Sequence, residues 1–216
     1  MKVHRSVYLG QLRADQQVTI GILCGVANDP SAVGGGRGAR ERLASAAATL
    51  FYRNGIYATG VETVIQHAKV SKRTLYQHFS SKTELVENYL RSLDQSGTPM
   101  ERPLYRRDLA PRERLLAIFD VPPVEKFRGC PFHNAAVESA GEWSTVDDLV
   151  RAHKRRFTER LVAVAGEAGA RDPYELGNQL MVLFEGATAL ATSLNDTAAL
   201  LHARSAAAQL IAGAIG

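Results

Sequence analysis

Residues 59–84, TGVETVIQHAKVSKRTLYQHFSSKTE, decide the fold of this chain. The spacing of Thr59 and Glu62 is that of a capping box, which predicts the start of a helix of about two turns. A three-residue turn, 69–71, separates this helix from a second short one predicted over 72–79. The second helix is rich in cationic and polar side chains, and such a pair is typical of a helix-turn-helix laid in the DNA major groove. The alternative is a basic helix pair that is simply solvated.

Further helices are predicted on both sides of this stretch. Upstream, apolar residues recur every three or four positions until Gly55 ends the helix. Ser71 is placed to cap the helix over 72–79, and the spacing of Ser81 and Glu84 predicts another capped helix. The apolar positions on the buried sides of the two outer helices are predicted to be Leu43, Ala46, Ala47, Leu50, Phe51, Leu85, Tyr89, Leu90 and Leu93.

The remainder of the chain also has helical rather than strand periodicity. Pro111 suits the first turn of a helix, and a short helix is predicted over 131–140. Three longer helices follow, the first opening at a capping box from Ser144, the second capped by Asp172 and the third over about 197–214. The sequence therefore predicts an all-α fold, with a basic N-terminal bundle of three to four helices and a larger helical C-terminal bundle.

Charge is unevenly distributed along the 216 residues. The net charge is +4, and residues 37–94 hold nine Lys and Arg against five Asp and Glu, so the rest of the chain is balanced. This asymmetry indicates a polyanion-binding module on a neutral body, or a solvated basic face. A content of 45% hydrophobic residues excludes a disordered chain, and no apolar run reaches the roughly 18 residues of a membrane span. The two cysteines form no disulfide-dense pattern, so we expect a soluble protein of the cytoplasm.

The central stretch matches a known family at many positions together. At residues 59–61 the chain reads TGV, and at residues 70–82 it reads VSKRTLYQHFSSK. These stretches resemble the tetracycline-repressor-like (TetR/AcrR) family, whose signature is a run like VSxxTLYxHFxxK. The resemblance covers about 40–93 closely. It covers the later helices loosely, through the helix count and the segments Gly129-Cys130-Pro131 and Asn134-Ala135-Ala136.

The resemblance implies a DNA-binding role for the polar residues of this stretch. Two positions depart from the family pattern. Lys69 stands at a turn position that is usually Gly, so a residue with a Cβ would have to adopt positive φ there. Ile65 stands where a small Ala is common. Leu75 and Phe79 look like the apolar side that holds the recognition helix to the bundle. By position in the family, Lys72, Arg73 and Gln77 are expected to read bases, and Thr59, Thr74, Tyr76, His78 and Lys82 to grip phosphates.

The resemblance also implies a homodimer and a small-molecule effector. Residues 39–95 would form the helix-turn-helix domain, and 96–216 the effector-binding and dimerisation domain. The implied partners are double-stranded operator DNA, a small apolar or amphipathic effector and a second copy of the chain, held through the last two helices. The side chains expected to line the effector pocket are Phe127, Cys130, His133, Asn134, Trp143, His153, Phe157, Met181, Phe184 and Glu185.

Periodicity predicts two apolar stripes for the dimer seam, although some of these positions must face the protein's own core. The stripe on the first of the two helices consists of Leu176, Leu180, Leu183, Ala187 and Leu194. The stripe on the last helix consists of Ala203, Ala207, Leu210, Ile211 and Ala214.

Cys130 and His133 form the main competing site, because residues three apart can share a helix face. A thiol beside an imidazole could be the nucleophile of a cytosolic enzyme, an oxidant or electrophile sensor or, with His153, part of a metal site. A small buried cysteine without chemistry is the simpler interpretation, and an architectural DNA-binding protein without an effector is a further alternative. We predict a ligand-responsive transcriptional repressor that is not an enzyme and uses no cofactor, metal or membrane.

Residues 1–38 have no counterpart in the family and lie outside every predicted helix. Gly34-Gly35-Gly36 would join them to the rest of the chain as a hinge. We expect a flexible arm, or a translation start placed too early, that folding does not require. The apolar run over 18–27 leaves a secretory signal as an alternative.

Overall fold

The structure of the chain is a computed structural model that describes residues 38–120 and 127–215. The predicted arm and its glycine hinge lie outside the described residues, apart from Gly38. Strand-type pairing within the described residues is limited to an isolated bridge between Ala170 and Ile215. The prediction of an all-α fold is confirmed. The helices are α1 (Ala39–Asn54), α2 (Val61–Ala68), α3 (Lys72–His78), α4 (Lys82–Ser96), a 3-10 turn (Arg102–Tyr105), α5 (Pro111–Ala117), α6 (Pro131–Ser139), α7 (Ser144–Glu167), α8 (Pro173–Leu194) and α9 (Ala198–Ala214).

Helices α1 to α4 form a small bundle around one apolar core. Every apolar position predicted for α1 and α4 is buried in it. The rings of Phe51 on α1 and Tyr89 on α4 pack with their centroids 5.9 Å apart. Gly55 ends α1 as predicted, with φ 97° and its N–H donated to the Phe51 carbonyl. This bundle is the scaffold that holds α2 and α3 at a fixed angle.

The turn between α2 and α3 contains a side chain in the left-handed region. Lys69 has φ 53° and ψ 50°, as its departure from glycine predicted. Its N–H donates to the Gln66 carbonyl at 3.3 Å, and the N–H of Val70 donates to the Ile65 carbonyl at 3.3 Å. These two bonds make a Schellman motif, which satisfies the last carbonyls of α2. Because the conformation costs a residue with a Cβ on the order of 1 kcal/mol, the hydrogen bonds and the packing of Val70 maintain the turn against backbone preference.

The predicted helix caps are partly confirmed. Side-chain oxygens accept backbone N–H bonds of 3.0–3.1 Å at the N-caps Ser71, Ser81 and Asp172. The capping box predicted at Ser144 is wrong, because Trp143 occupies the N-cap position of α7 and no side chain caps the helix. The carboxylate of Asp147, which the box would have used, accepts instead from the Ser139 hydroxyl at 3.0 Å. The start of α7 is therefore fixed by α6 rather than by its own first turn.

Helix α6 connects the two bundles by packing. Phe132 and Ala135 of α6 and Val146 of α7 belong to the same buried cluster as α1 to α4. A second buried cluster holds α5, α8, α9 and the later turns of α7. Because α6 and α7 share the first cluster, the C-terminal helices contribute directly to the core that supports α2 and α3.

Among the described helices, none has the length and apolar character needed to cross a membrane.

The apolar stripes predicted for a dimer seam mostly face the protein's own core. Six of these positions are buried in the second cluster, namely Leu176, Leu180, Ala187, Ala203, Ala207 and Ile211. These six are positions that face the protein's own core, which periodicity did not identify because both helices carry apolar residues on more than one side. Helices α8 and α9 also leave large side chains exposed, namely Tyr174, Val182, Leu190, Leu194, Leu201 and Leu210.

Candidate nucleic-acid interface and internal cavity

Helix α3 has one anchored side and one exposed side. Leu75 and Phe79 are buried in the bundle. The guanidinium of Arg40, on α1, lies 5.0 Å from the Phe79 ring centroid. These contacts fix the orientation of α3, and recognition in a major groove requires this arrangement of an anchored helix with a polar outer side. The exposed side chains are those predicted to meet DNA, namely Lys72, Arg73, Tyr76, Gln77 and His78.

Lys72 is held by an ion pair in the absence of DNA. Its Nζ lies 2.6 Å from Glu62 Oε1 on α2. The hydrogen bond and the charge of Glu62 raise the pKa of Lys72. Because both side chains are more than half exposed, the pair is weak.

The two threonines predicted to grip phosphate differ in their surroundings. Thr59 is 2% exposed, and its hydroxyl lies 2.6 and 3.3 Å from two carbonyls at the end of α1. The prediction of Thr59 as a helix cap and phosphate contact is wrong, because its hydroxyl is turned inward and α2 begins after Gly60 without a side-chain cap. Thr74 is half-buried, and its hydroxyl lies 2.8 Å from that of Ser71. A phosphate contact by Thr74 stays a prediction.

Lys82, at the start of α4, is tied to the loop between α1 and α2. Its Nζ donates to the Tyr57 carbonyl at 3.2 Å, and the Tyr57 N–H donates to Glu138 Oε2 of α6 at 2.7 Å. Burial lowers the pKa of Lys82, although the nearby Glu138 carboxylate opposes this effect. A Cβ at Gly55 would lie 3.0 Å from Glu138 Oε2, so the glycine that ends α1 also makes room for this carboxylate.

A buried histidine joins the end of α4 to the C-terminal bundle. His153 of α7 is 3% exposed, with Nδ1 3.1 Å from Asp94 Oδ1 and Nε2 3.0 Å from Glu101 Oε1. Each ring nitrogen thus lies within hydrogen-bonding distance of a different carboxylate. Burial alone would raise the pKa of Glu101, but the hydrogen bond and charge of His153, together with the hydrogen bonds from Thr98, outweigh burial and lower it. Both ring nitrogens of this predicted effector residue are therefore engaged within the protein.

A small cavity of about 20 Å³ lies beside this histidine, enough for roughly one water molecule. The rings of Phe157 and Phe184 meet there nearly at right angles, with their centroids 5.1 Å apart. The loop residues 98–101 and Tyr52 of α1 also line the cavity, and neither was predicted to do so. The predicted effector residues that the structure brings together here are Phe127, Cys130, His153, Phe157 and Phe184.

The other predicted effector residues lie elsewhere, which corrects the prediction of one pocket. His133, Met181 and Glu185 line a wide, open groove of about 720 Å³ between α6, α7 and α8. Asn134 lines neither space, because its Nδ2 donates to the Arg128 carbonyl at 2.6 Å. Trp143 packs against the core of the small bundle.

Cys130 is buried beside a lysine rather than beside an imidazole. The Nζ of Lys154 lies 3.3 Å from its Sγ, and Lys154 is also ion-paired with Glu185. Burial raises the pKa of the Cys130 thiol, although the charge of Lys154 opposes this effect. A neutral, buried thiol is a weak nucleophile, and within the described ranges no three His, Cys, Asp or Glu side chains are grouped to hold a metal ion. The geometry does not favour an enzyme built on Cys130 and His133.

Comparison with known proteins agrees with the helix-turn-helix arrangement of α2 and α3. The family described as "Bacterial regulatory proteins, tetR family" matches residues 43–89, from α1 into α4. The crystal structure of SAV143, a TetR-type transcriptional regulator from Streptomyces avermitilis, is 31% identical with a TM-score of 0.63. This similarity covers 78% of this chain and 97% of SAV143. The chain belongs to the TetR family.

Curated relatives of this TetR-family protein match a smaller part of it. The transcriptional repressor KstR2 from Mycolicibacterium smegmatis is 33% identical over 75 residues, which cover 29% of this chain and 37% of KstR2. The transcriptional activator FasR from the same organism is 48% identical over 46 residues, 21% of each chain. The matched part is thus well under half the length of either relative. Both relatives are named as regulators of transcription and not as enzymes.

The contacts that sequence reasoning missed in this TetR-family protein join distant parts of the chain. Tyr57 and Glu138 are 81 residues apart, and Asp94 and His153 are 59 residues apart. Periodicity and capping rules relate residues on one helix or one turn, so they contain no signal for such pairs. Gly55 was the only local sign, and its space for the Glu138 carboxylate is evident only in three dimensions.

Proposed function

We propose that the protein is a one-component transcriptional repressor that binds a partly palindromic operator as a homodimer and leaves it when a small effector binds. The observation that carries the proposal is α3, whose apolar side is anchored in the bundle while Lys72, Arg73 and Gln77 are exposed. Regulators of the TetR family bind operator DNA and act as homodimers. Residues 39–95 would serve DNA binding and 96–216 the effector and the partner copy, and the protein would act in the cytoplasm, where DNA is accessible.

The outer surface of the last two helices supports a dimer. Val182 is 74% exposed and Leu201 is 68% exposed, unusual values for large apolar side chains in a well-packed bundle. Exposed apolar side chains gathered on neighbouring elements mark interaction surfaces. Two copies of α8 and α9 would form a four-helix seam related by twofold symmetry. Such a seam would hold two α3 helices about 34–36 Å apart, the spacing of successive major grooves.

The variant Val182→Glu should dissociate the dimer. In a twofold seam each substitution places two carboxylates in one apolar interface, where neither has a partner. We expect a dimer dissociation constant at least about 100-fold higher, measured by sedimentation over a dilution series. Val137→Glu is the matched control, because Val137 is 64% exposed on α6 rather than on either of the last two helices. If Val182→Glu sediments as a dimer at every concentration at which the wild type does, the seam lies elsewhere.

The internal cavity supports an apolar or amphipathic effector. Its lining includes four aromatic rings of Phe and Tyr and the side chain of Met100, and Glu101 and His153 supply polar groups. The cavity must expand to admit any organic molecule, because its volume of about 20 Å³ holds little more than one water. An effector that binds the expanded form better than the closed one would shift the dimer toward it and lower DNA affinity by the same coupling energy.

Substitutions at Arg73 and Lys82 test DNA recognition. Arg73→Ala should relax the preference at one or two base positions per half-site, a loss of about 1–3 kcal/mol if its contact is bidentate. Lys82→Ala should weaken binding to all sequences alike, because a phosphate contact carries no sequence information. The measurement is enrichment of duplexes from a random-sequence pool, followed by affinities for the enriched duplex and for base-substituted versions of it.

Two outcomes would contradict this proposal. Unchanged sequence preference in the Arg73→Ala protein would remove the base-reading role of α3. A wild-type protein that binds the enriched duplex less than about 1000-fold more tightly than unrelated DNA would fit the architectural alternative better.

A further inference from the structure

The loop between α1 and α2 is fixed by side chains of α4, of α6 and of the loop itself. The hydroxyl of Thr59 lies 2.6 Å from the Gly55 carbonyl and fixes the loop from within. Glu138, on α6, accepts the Tyr57 N–H at 2.7 Å, and Lys82, on α4, donates to the Tyr57 carbonyl at 3.2 Å. Tyr57 therefore connects a carboxylate of the C-terminal bundle to a cation of the DNA-binding bundle through its main chain alone.

This connection matters because lysine is a flexible cation. A Lys side chain loses rotamer freedom when it is ordered, and holding it in place beforehand reduces that entropic cost at the moment of binding. Lys82 is half-buried, and the Tyr57 carbonyl restrains its ammonium group at the surface where the phosphate backbone is expected. The position of the Tyr57 carbonyl depends in turn on the Tyr57 N–H, which Glu138 holds.

We propose that Glu138 is a positioning residue for DNA binding, which places Lys82 for a phosphate contact by way of the Tyr57 main chain. This inference rests on the proposed function. Glu138 lies near the end of α6, and Cys130 and Pro131 at the beginning of α6 line the internal cavity. The placement of Lys82 is therefore coupled to the helix that an expanding cavity would displace.

The charge of Glu138 provides a way to separate positioning from simple electrostatics. A carboxylate near the phosphate backbone repels DNA, so its removal should strengthen binding if charge were its only contribution. Loss of the acceptor for the Tyr57 N–H should weaken binding instead. Glu138→Gln removes the charge and keeps an acceptor oxygen, whereas Glu138→Ala removes both. The two substitutions therefore have opposite expected signs.

The experiment uses the full chain and the duplex that the wild type enriches from a random-sequence pool. Affinities are measured between 50 and 200 mM salt for the wild type, Glu138→Ala, Glu138→Gln, Lys82→Ala and the double variant of Ala at both positions. Glu142→Ala is the matched control, because Glu142 is an exposed acid just beyond the end of α6. Thermal unfolding of each variant confirms that it is folded.

Glu138→Ala should bind about threefold to tenfold more weakly, with a salt slope smaller by about 0.9 per protomer, the value of one phosphate contact. Glu138→Gln should bind at least as tightly as the wild type, and adding Glu138→Ala to Lys82→Ala should leave the salt slope unchanged. The inference is overturned if Glu138→Ala and Glu138→Gln change affinity in the same direction, or if Glu138→Ala keeps the full salt slope. A wild type that selects no sequence removes the proposed function and this inference with it, whereas a selective wild type with an unaffected Glu138→Ala variant removes the inference alone.

Discussion

The variant His153→Ala should lose about 3–5 kcal/mol of unfolding free energy at neutral pH, the usual cost of removing one partner from a buried ion pair. The imidazole ring lies between Asp94 and Glu101 and stacks on the ring of Phe132. Without it, Asp94 retains Arg156. Among the described residues, Glu101, which is 7% exposed, then retains only its bonds from Thr98 and becomes a buried carboxylate without a counter-charge.

The loss should also depend on pH. In the wild type the pKa of Glu101 is lowered in the fold, so this carboxyl contributes stability that is present above its unfolded pKa, near 4.3, and is lost as the pH falls through the folded value. In His153→Ala the burial of Glu101 raises its folded pKa, and the hydrogen bonds from Thr98 oppose this effect without a charged partner, so the ionised form is less stabilised at neutral pH than in the wild type. The difference in unfolding free energy between the two proteins should therefore be smaller at pH 4 than at pH 7.

Urea unfolding at both pH values measures these differences. His67→Ala is the matched control, because His67 is exposed on α2, and its effect should stay within about 0.5 kcal/mol. A His153→Ala protein as stable as the control at pH 7 would show that the buried ion pairs contribute nothing net. A difference that grew on acidification would mean that Glu101 is not the group responsible.

The variant Gly177→Ala should destabilise the fold by about 1–3 kcal/mol or more, the cost of forcing an extra methyl group into a packed core. A Cβ at Gly177 of α8 would lie 2.5 Å from Val162 Cγ2, 2.8 Å from Val162 N and 2.9 Å from Val162 Cα. Two of these are main-chain atoms, which cannot move aside by a change of rotamer. The methyl group would therefore have to separate α7 from α8, against the gain of roughly 0.5–1 kcal/mol that Ala usually brings to a helix interior.

Gly166→Ala provides the comparison for this effect. Gly166 lies on α7, and a Cβ there would come no closer than 3.8 Å to the Pro173 side chain. The substitution should leave the fold unchanged or stabilise it by up to about 1 kcal/mol. Equal unfolding free energies for the two variants, measured in urea, would contradict close main-chain contact between α7 and α8.

The parts of the fold that could be predicted from sequence are those with local causes. Ser71 and Ser81 cap their helices because a hydroxyl reaches N–H groups only three residues away, and Lys69 ends α2 in the conformation expected where glycine is usual. The same spacing misled at Thr59 and Ser144. At Thr59 the chain turns back so that the hydroxyl meets carbonyls of α1, and at Ser144 the helix starts immediately after Trp143.

The residues of the candidate site also divide into those that a local pattern predicts and those that it does not. The exposure of Arg73 and Gln77 follows from the periodicity of one short helix, so it could be predicted. Glu101 and Glu138 are engaged with residues far away in the sequence, and nothing near them marks that role. The effector residues were predicted as one group because a linear pattern of aromatic and polar residues does not show which side of α6 or α8 each will occupy.

The small volume of the cavity would set the effector concentration at which the protein responds. A space of about 20 Å³ means that the resting state has no room for an organic ligand, so binding must draw on a minor, expanded population. If that population is about 1% of the molecules, the apparent dissociation constant is about 100 times the intrinsic one. Looser packing around Phe157 and Phe184 would enlarge this population and lower the response threshold without adding any contact to the ligand. The effector concentration needed for a response would then depend on the packing of the core as much as on the contacts in the binding site.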